Sequence, residues 1–214
     1  MSEINLADDA ERQGLGHYLE RLVGLDNRAA VRLQAGGAAL GVWSGPPFEV
    51  VALRPVALAS HTSLDVTVSA QRLLELVNAA SGQTNVLKLP PAVSGPTWVG
   101  LLPPRSGWQE RARSDVANVR AAVDSAKHFF RERAEGVSDQ PALEQIAADV
   151  WERTCLAEVP VRCAHAAESL GIMGPGDGEA TAYSTDTWVR LAVPGGSVAS
   201  RRGFLPSIAV MPLL

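Results

Sequence analysis

The sequence predicts an α+β protein in which a strand-rich first half leads into a largely helical second half. Three observations support this class. Runs rich in Val, Leu and Ala alternate with Gly and Pro turns between residues 30 and 68. Apolar residues after position 111 recur three and four apart, as they do in an amphipathic helix. A Pro-Gly-Gly turn separates residues 188–193 from 197–202, which is typical of a β-hairpin.

The first half is predicted to contain two helices and five or six short strands, mostly antiparallel. Residues 1–14 are polar and are expected to form a flexible N-terminus, followed by a helix that ends at Gly24. Ser69 is a suitable N-cap for the second helix. Gly36-Gly37 lies between two apolar runs and predicts a hairpin. The predicted strands are residues 30–34, 39–43, 48–54, 56–59, 64–68 and 85–89.

Pro and Gly punctuate residues 90–108, and this stretch is the predicted boundary between the halves. We therefore expect an α+β region over residues 15–104 and a helical region with a C-terminal β-hairpin over residues 105–214. The two regions form either separate domains or one continuous domain.

Composition restricts the class of protein. The 214 residues carry a net charge of −4, with apolar and charged fractions typical of globular proteins. No apolar run is long enough to cross a bilayer, and the N-terminus lacks the pattern of a secretory signal, so a cytoplasmic location is expected. Cys155 and Cys163 are expected to be reduced thiols that pack in the fold. Arginine-rich basic residues with abundant Ala, Val and Gly suggest a bacterial source.

The long helix, predicted to end at Gly136, has a narrow apolar seam that fits one partner helix. That partner lies either in the same chain or in a second copy. If it is a second copy, the protein is a homo-oligomer. The candidate self-association residues on this seam are Val116, Val119, Val123 and Phe130.

Helices at residues 141–151 and 160–171, followed by a hairpin at 188–202, have the order of a winged-helix DNA reader. The candidate nucleic-acid contacts are Arg162, His165, Arg190, Arg201 and Arg202. Residues 137–180 nevertheless carry only two Lys or Arg against eight Asp or Glu. Because phosphates must be met by positive groups, this balance makes nucleic acid the less favoured partner.

No motif predicts catalysis, a cofactor or a metal. Residues 60–65 include Ser, His and Asp, but a catalytic triad needs these groups from separated positions. Cys155, Cys163 and His165 lack a fourth ligand at zinc-site spacing. The Gly-rich residues 171–178 follow a helix and precede a strand, the reverse of a phosphate-binding loop.

The leading hypothesis is a non-catalytic bacterial protein that acts through protein–protein contacts or self-association. The first alternative is a winged-helix-like DNA-binding regulator that uses helix 160–171 and hairpin 188–202. The second alternative is a small-ligand binder or enzyme whose pocket the sequence does not identify.

Overall fold

A computed structural model describes residues 3–80 and 85–202, and these residues form five α-helices and ten β-strands. The predicted α+β class is confirmed. Unit 1 consists of Met1–Pro46, Val51–Pro103 and Ser169–Ile172. Unit 2 consists of Pro47–Val50, Pro104–Glu168 and Met173–Leu214. The ends of the predicted regions, residues 1–2 and 203–214, lie outside the described residues.

Unit 1 contains two helices and four strands. Both helices begin at capped N-termini: the Asp8 side chain accepts a hydrogen bond from the Glu11 amide, and the Ser69 hydroxyl accepts one from the Arg72 amide. The predicted cap at Ser69 is thus confirmed. The elements are β1 (Glu3–Asn5), α1 (Asp9–Leu25), β2 (Ala30–Ser44), β3 (Val51–Ser69), α2 (Ala70–Ala79) and β4 (Val86–Lys88).

The first residues of unit 1 differ from the flexible N-terminus that was expected. Strand β1 pairs antiparallel with β4, from Glu3 opposite Lys88 to Asn5 opposite Val86. Ile4 and Leu6, two positions apart, are buried in the core, and α1 already begins at Asp9. The apolar alternation in an otherwise polar segment was the signal for this strand.

The hairpin predicted at Gly36-Gly37 does not form. Strand β2 runs through both glycines and pairs with β3 from Ala30 opposite Ser69 to Ser44 opposite Ala52, with a bulge between Gly37 and Ala39. The three strands predicted between residues 48 and 68 merge into β3. Pairing with a long partner strand satisfies more backbone groups than a local hairpin does, and at the irregularity Ala38 lies opposite residues 58–61 of β3.

Unit 2 combines a four-stranded antiparallel arrangement with three helices. The strands are adjacent in the order β5-β8-β9-β10. The helices and hairpin predicted at residues 141–151, 160–171 and 188–202 are all present, with small shifts at their ends. The elements are β5 (Gln109–Asp115), α3 (Val116–Ala134), α4 (Gln140–Trp151), β6 (Thr154–Leu156), β7 (Val159–Pro160), α5 (Val161–Ser169), β8 (Glu179–Ser184), β9 (Trp188–Val193) and β10 (Gly196–Arg201).

Four strands of unit 2 were not predicted: β5, β6, β7 and β8. Strand β5 occupies the start of the predicted long helix, so α3 begins only at Val116. Strand β8 pairs with both β5 and β9, which places β9 inside the sheet. No helix in the described part of the chain is long and apolar enough to span a membrane.

The seam of α3 packs into its own unit. Val116, Val119 and Val123 are at most 1% exposed, and Phe130 stacks on Trp151 with ring centroids 6.3 Å apart. A second copy cannot reach the three valines without unpacking the core, so this packing does not support the self-association predicted through these four residues. Any self-association must use another surface.

Val119→Glu is expected to destabilise the folded chain rather than merely dissociate copies of it. A carboxylate in place of a buried valine without a partner lowers the free energy of unfolding by about 4 kcal/mol. Urea unfolding followed by circular dichroism measures this change. Ala121→Glu, on the exposed side of the same helix, is the matched control and should cost less than about 1 kcal/mol. Equal losses in the two variants would contradict the burial of the seam.

Candidate functional site

Unit 2 contains a cleft of about 390 Å³. This volume lies in the range of small-molecule pockets. Its walls come from the end of α4, from β7, the start of α5, β9 and β10. The lining residues are Glu152, Glu158, Pro160, Arg162, Val189, Ser200, Arg201 and Arg202.

Arg162 forms the floor of the cleft and is only 6% exposed. Its Nη1 donates hydrogen bonds to the backbone carbonyls of Phe48, at 3.3 Å, and Glu49, at 2.9 Å. Its Nη2 donates to the Ser200 hydroxyl at 2.8 Å. Its Nε lies 2.7 Å from Oε1 of Glu152. A buried guanidinium is tolerated only when it is paired and hydrogen-bonded, and these contacts meet that requirement.

Arg162 also holds a strained turn in place. Glu49 has a φ of 55°, in the left-handed region that non-glycine residues rarely adopt. The Glu49 carbonyl is one of the acceptors of Arg162, and its carboxylate lies 3.9 Å from the same guanidinium. The contacts therefore offset the backbone strain at this position. They fix segment Pro47–Val50 within unit 2.

The charged side chains at the rim of the cleft contact other residues of unit 2. Arg202 forms an ion pair with Glu158, and the Arg201 guanidinium carbon lies 6.0 Å from the centre of the Trp188 ring. The Ser200 hydroxyl donates to the Arg201 carbonyl at 3.3 Å. A nucleophilic serine needs a base at hydrogen-bond distance, and the partners of Ser200 are a guanidinium and a carbonyl. The Ser200 hydroxyl is therefore not activated as a nucleophile by the residues that the structure describes around it.

His165 lies in an aromatic stack behind Arg162. Its ring is 4.7 Å from that of Trp151, nearly parallel, and meets Phe48 edge-on at 5.0 Å. Its Nδ1 is buried without a hydrogen-bond partner among the described residues. Burial, with a smaller contribution from the charge of Lys127, lowers the pKa of His165 from 6.5 to about 4. The imidazole is therefore neutral near pH 7.

The two central cations of α3 meet one carboxylate of α5. Lys127 Nζ is 2.5 Å from Oε2 of Glu168, and Arg120 Nε is 3.8 Å from Oε1 of the same residue. Arg120 also donates to the Gly174 carbonyl at 2.9 Å. Arg120 and Lys127 are therefore paired within unit 2 and belong to an internal network of charges.

The residues predicted to contact nucleic acid do not form one surface. Arg162 and His165 are packed inside unit 2, and Arg202 is paired with Glu158. The Arg190 guanidinium lies over the rings of Trp108 and Tyr183. The hairpin β9–β10 is bounded by β8, so it is part of a sheet and not a projecting wing. The winged-helix interpretation is therefore corrected.

Sequence reasoning did not find the partners of these arginines. Glu152 and Glu158 belong to the acidic surplus of residues 137–180, and no role was predicted for Trp108 or Tyr183. Their roles depend on contacts between positions far apart in sequence. Among residues 3–80 and 85–202, no group of three His, Cys, Asp or Glu residues is placed to hold a metal ion.

Two family models together match most of the chain. Residues 1–100 match a domain of unknown function, DUF8010, and residues 103–205 match a second one, DUF8185. The junction between the two models lies at the boundary where unit 1 gives way to unit 2, near Pro103. No curated protein matches the chain.

Solved structures identify the fold. The DNA polymerase III subunit beta from Pseudomonas aeruginosa superposes with a TM-score of 0.58 at 14% identity, over 96% of this chain and 66% of that one. This subunit is also called a sliding clamp, and the chain has a sliding-clamp-like fold. The Borrelia burgdorferi subunit, solved with a natural product, gives 0.58 at 10% identity, over 97% and 66% of the two chains. A putative subunit from Eubacterium rectale gives 0.59 at 9%, over 96% and 67%.

The sliding-clamp-like fold replaces the winged-helix alternative, which finds no support in these comparisons. The chain spans 66–67% of the length of these solved chains. At 9–14% identity the likeness extends to the fold, and residue roles have to be argued from this chain.

Arg162→Met is expected to destabilise the chain by about 3 kcal/mol, because it removes the cation paired with Glu152 and leaves the Phe48 and Glu49 carbonyls without their buried donor. Arg201→Met, on the rim of the same cleft, should cost less than about 1 kcal/mol. Urea unfolding of both variants provides the measurement. If Arg201→Met costs as much as Arg162→Met, the buried network is not what stabilises this region.

Acidification is expected to destabilise the chain through His165. In the unfolded chain His165 binds a proton below its ordinary pKa of 6.5, whereas in the folded chain its pKa is about 4 and it stays neutral over this range. Stability is therefore full above pH 6.5 and falls as the pH drops through this window, by about 2–3 kcal/mol. His165→Phe keeps an aromatic ring in the stack and should show a flatter profile between pH 6.5 and 4. Identical pH profiles for the two proteins would rule out this role.

Proposed function

We propose that this chain is a non-catalytic protein-interaction module that associates with copies of itself through the free edge of β2. The observation that carries the proposal is the chemistry of this edge. Among the described residues, β2 pairs with β3 alone, so its other side presents a row of backbone donors and acceptors. The sliding-clamp-like fold supports assembly as the class of function, since the neighbours are subunits of a DNA polymerase.

The β2 edge lacks the charges that usually prevent strand pairing. Residues 33–44 contain no Asp, Glu, Lys or Arg, and the one charged residue of β2, Arg32, is paired with Asp65. The centre of the strand, Ala35-Gly-Gly-Ala-Ala39, has only small side chains. An uncharged edge of this kind accepts another strand readily, apart from the local twist that its bulge introduces.

Strand β5 shows the contrast within unit 2. It too has one strand partner, β8, among the described residues. Four of its seven residues are charged: Glu110, Arg111, Arg113 and Asp115. Charged side chains along an edge disfavour pairing with another chain. The difference between the two edges favours β2 as the place where a second chain adds.

Duplex DNA is the less favoured partner of the proposed module. Binding to phosphates requires cations that are free to replace counterions. Arg120 and Lys127 of α3 are instead committed to Glu168, and the net charge of −4 opposes DNA further. The proposed function is therefore protein assembly, as in the neighbouring structures, and does not include binding to DNA.

The proposal predicts a mass that rises with protein concentration in sedimentation velocity. Ala38→Lys puts a charge at an exposed position of the β2 bulge and should reduce the apparent mass toward the 22.6 kDa of one chain. Ala121→Lys, an exposed alanine of α3, is the matched control and should behave as the unmodified chain does. A monomeric mass for the unmodified chain at all concentrations, or equal effects of the two variants, would overturn the proposal.

A further inference from the structure

Arg190, on β9, is the one cation of unit 2 that is half-buried and yet has no carboxylate partner within the described residues. Its guanidinium carbon lies 4.2 Å from the centre of the Trp108 ring and 4.8 Å from that of the Tyr183 ring. Its Nε is buried without an acceptor in the part of the chain that the structure describes. Each other half-buried or buried cation of this unit meets an acidic side chain. Arg190 therefore has unused hydrogen-bonding capacity.

The residues around Arg190 determine the direction from which a ligand can reach its N–H groups. Tyr183 on β8 lies directly opposite Arg190 in the strand register. Trp108 is held by a hydrogen bond of 2.8 Å from its Nε1 to the Pro104 carbonyl. Aromatic contacts satisfy the faces of a guanidinium but leave its N–H groups, which lie along the edge, without acceptors. An incoming ligand must therefore approach along that edge with oxygen acceptors.

Burial without a compensating anion lowers the pKa of Arg190, although the guanidinium stays charged. The neighbouring charges do not compensate: Glu110, opposite Tyr183 on β5, is paired with Arg113, and Arg111 turns its Nε to the Ser184 hydroxyl at 2.6 Å. Ser184 follows Tyr183 in β8, so Arg111 is directed to the other face of the sheet, and Arg190 is the cation left on this face for one negative charge. A monoanionic carboxylate fits this balance, whereas a phosphate dianion would call for further free cations.

We propose that Arg190, Trp108 and Tyr183 form a docking site for an acidic segment of a partner protein, with one Glu or Asp carboxylate accepting hydrogen bonds from the Arg190 guanidinium. The two aromatic rings supply apolar contact beside this pair. Trp, Tyr and Arg are the residue types that dominate binding energy at protein interfaces. The Arg190 site lies in unit 2 and is separate from the β2 edge of unit 1.

The test uses fluorescence anisotropy with two labelled peptides of the same length. One repeats Glu, Ser and Leu, and the other has Gln in place of every Glu. The full chain should bind the Glu peptide at least about tenfold more tightly than the Gln peptide, because an unpaired guanidinium gains a charge-assisted hydrogen bond only from the former. This comparison requires no substitution. Equal binding of both peptides, or no binding of the Glu peptide at about 1 mM protein, would overturn the proposal.

Two substitutions locate the site. Arg190→Gln should weaken the Glu peptide at least about tenfold, and Arg190→Lys should weaken it about threefold or more, because lysine keeps the charge but loses the planar pair of donors. Arg72→Gln removes an equal charge from an exposed position of α2 and should change the affinity less than about twofold. If Arg72→Gln weakens binding of the Glu peptide as much as Arg190→Gln does, the binding reflects general charge attraction and the proposed site is wrong.

The β2 variant distinguishes this proposal from the proposed function. Ala38→Lys should bind the Glu peptide as the unmodified chain does, and Arg190→Gln should keep the concentration-dependent mass. A bracing role for Arg190 alone predicts a lower melting temperature in Arg190→Gln with no difference between the Glu and Gln peptides. That pattern would count against docking even if self-association is intact.

Discussion

The buried guanidinium of Arg162 is the interaction on which the arrangement of unit 2 depends. It joins the start of α5 to the backbone of segment Pro47–Val50, to Ser200 on β10 and to Glu152 after α4. These elements come from three distant parts of the chain. A guanidinium can serve as such a junction because its donors lie in fixed directions and remain charged at any physiological pH. Its burial requires every one of these contacts, so the elements cannot move independently without exposing an unpaired charge.

Several other charges of unit 2 are also paired within the unit. The basic stretch at residues 105–136 and the acidic stretch at 137–180 are neighbours in sequence, and the fold pairs them: Lys127 and Arg120 with Glu168, and Arg133 with Asp149. A charge surplus that is matched within the unit is not available to an external ligand. Function is therefore better sought in groups that the fold leaves unmatched. Among the described residues, the groups that we propose for this role are the backbone edge of β2 in unit 1 and Arg190 in unit 2.

Sequence periodicity predicted the elements that depend on local interactions. The caps and apolar stripes of α2, α4 and α5, and the turn between β9 and β10, are encoded within a few residues of each other. Strand β2 was misread as a hairpin because its glycines favour a turn locally, whereas its pairing with β3 is decided over a longer range. Arg162 lies opposite the apolar stripe of α5 and was therefore expected to be exposed. It is buried because a segment more than 100 residues away covers it, and no local pattern records that contact.

The two proposed surfaces differ in physical character, and this difference has consequences. Strand addition at β2 rests on backbone hydrogen bonds between neutral groups, which salt at physiological concentrations barely weakens. Docking at Arg190 rests on one charge pair at a half-buried position, which salt screens in part. Raising the ionic strength should therefore release an acidic segment before it separates the copies of the chain. A sliding-clamp-like fold with both proposed surfaces would in this way combine a persistent assembly with an exchangeable partner.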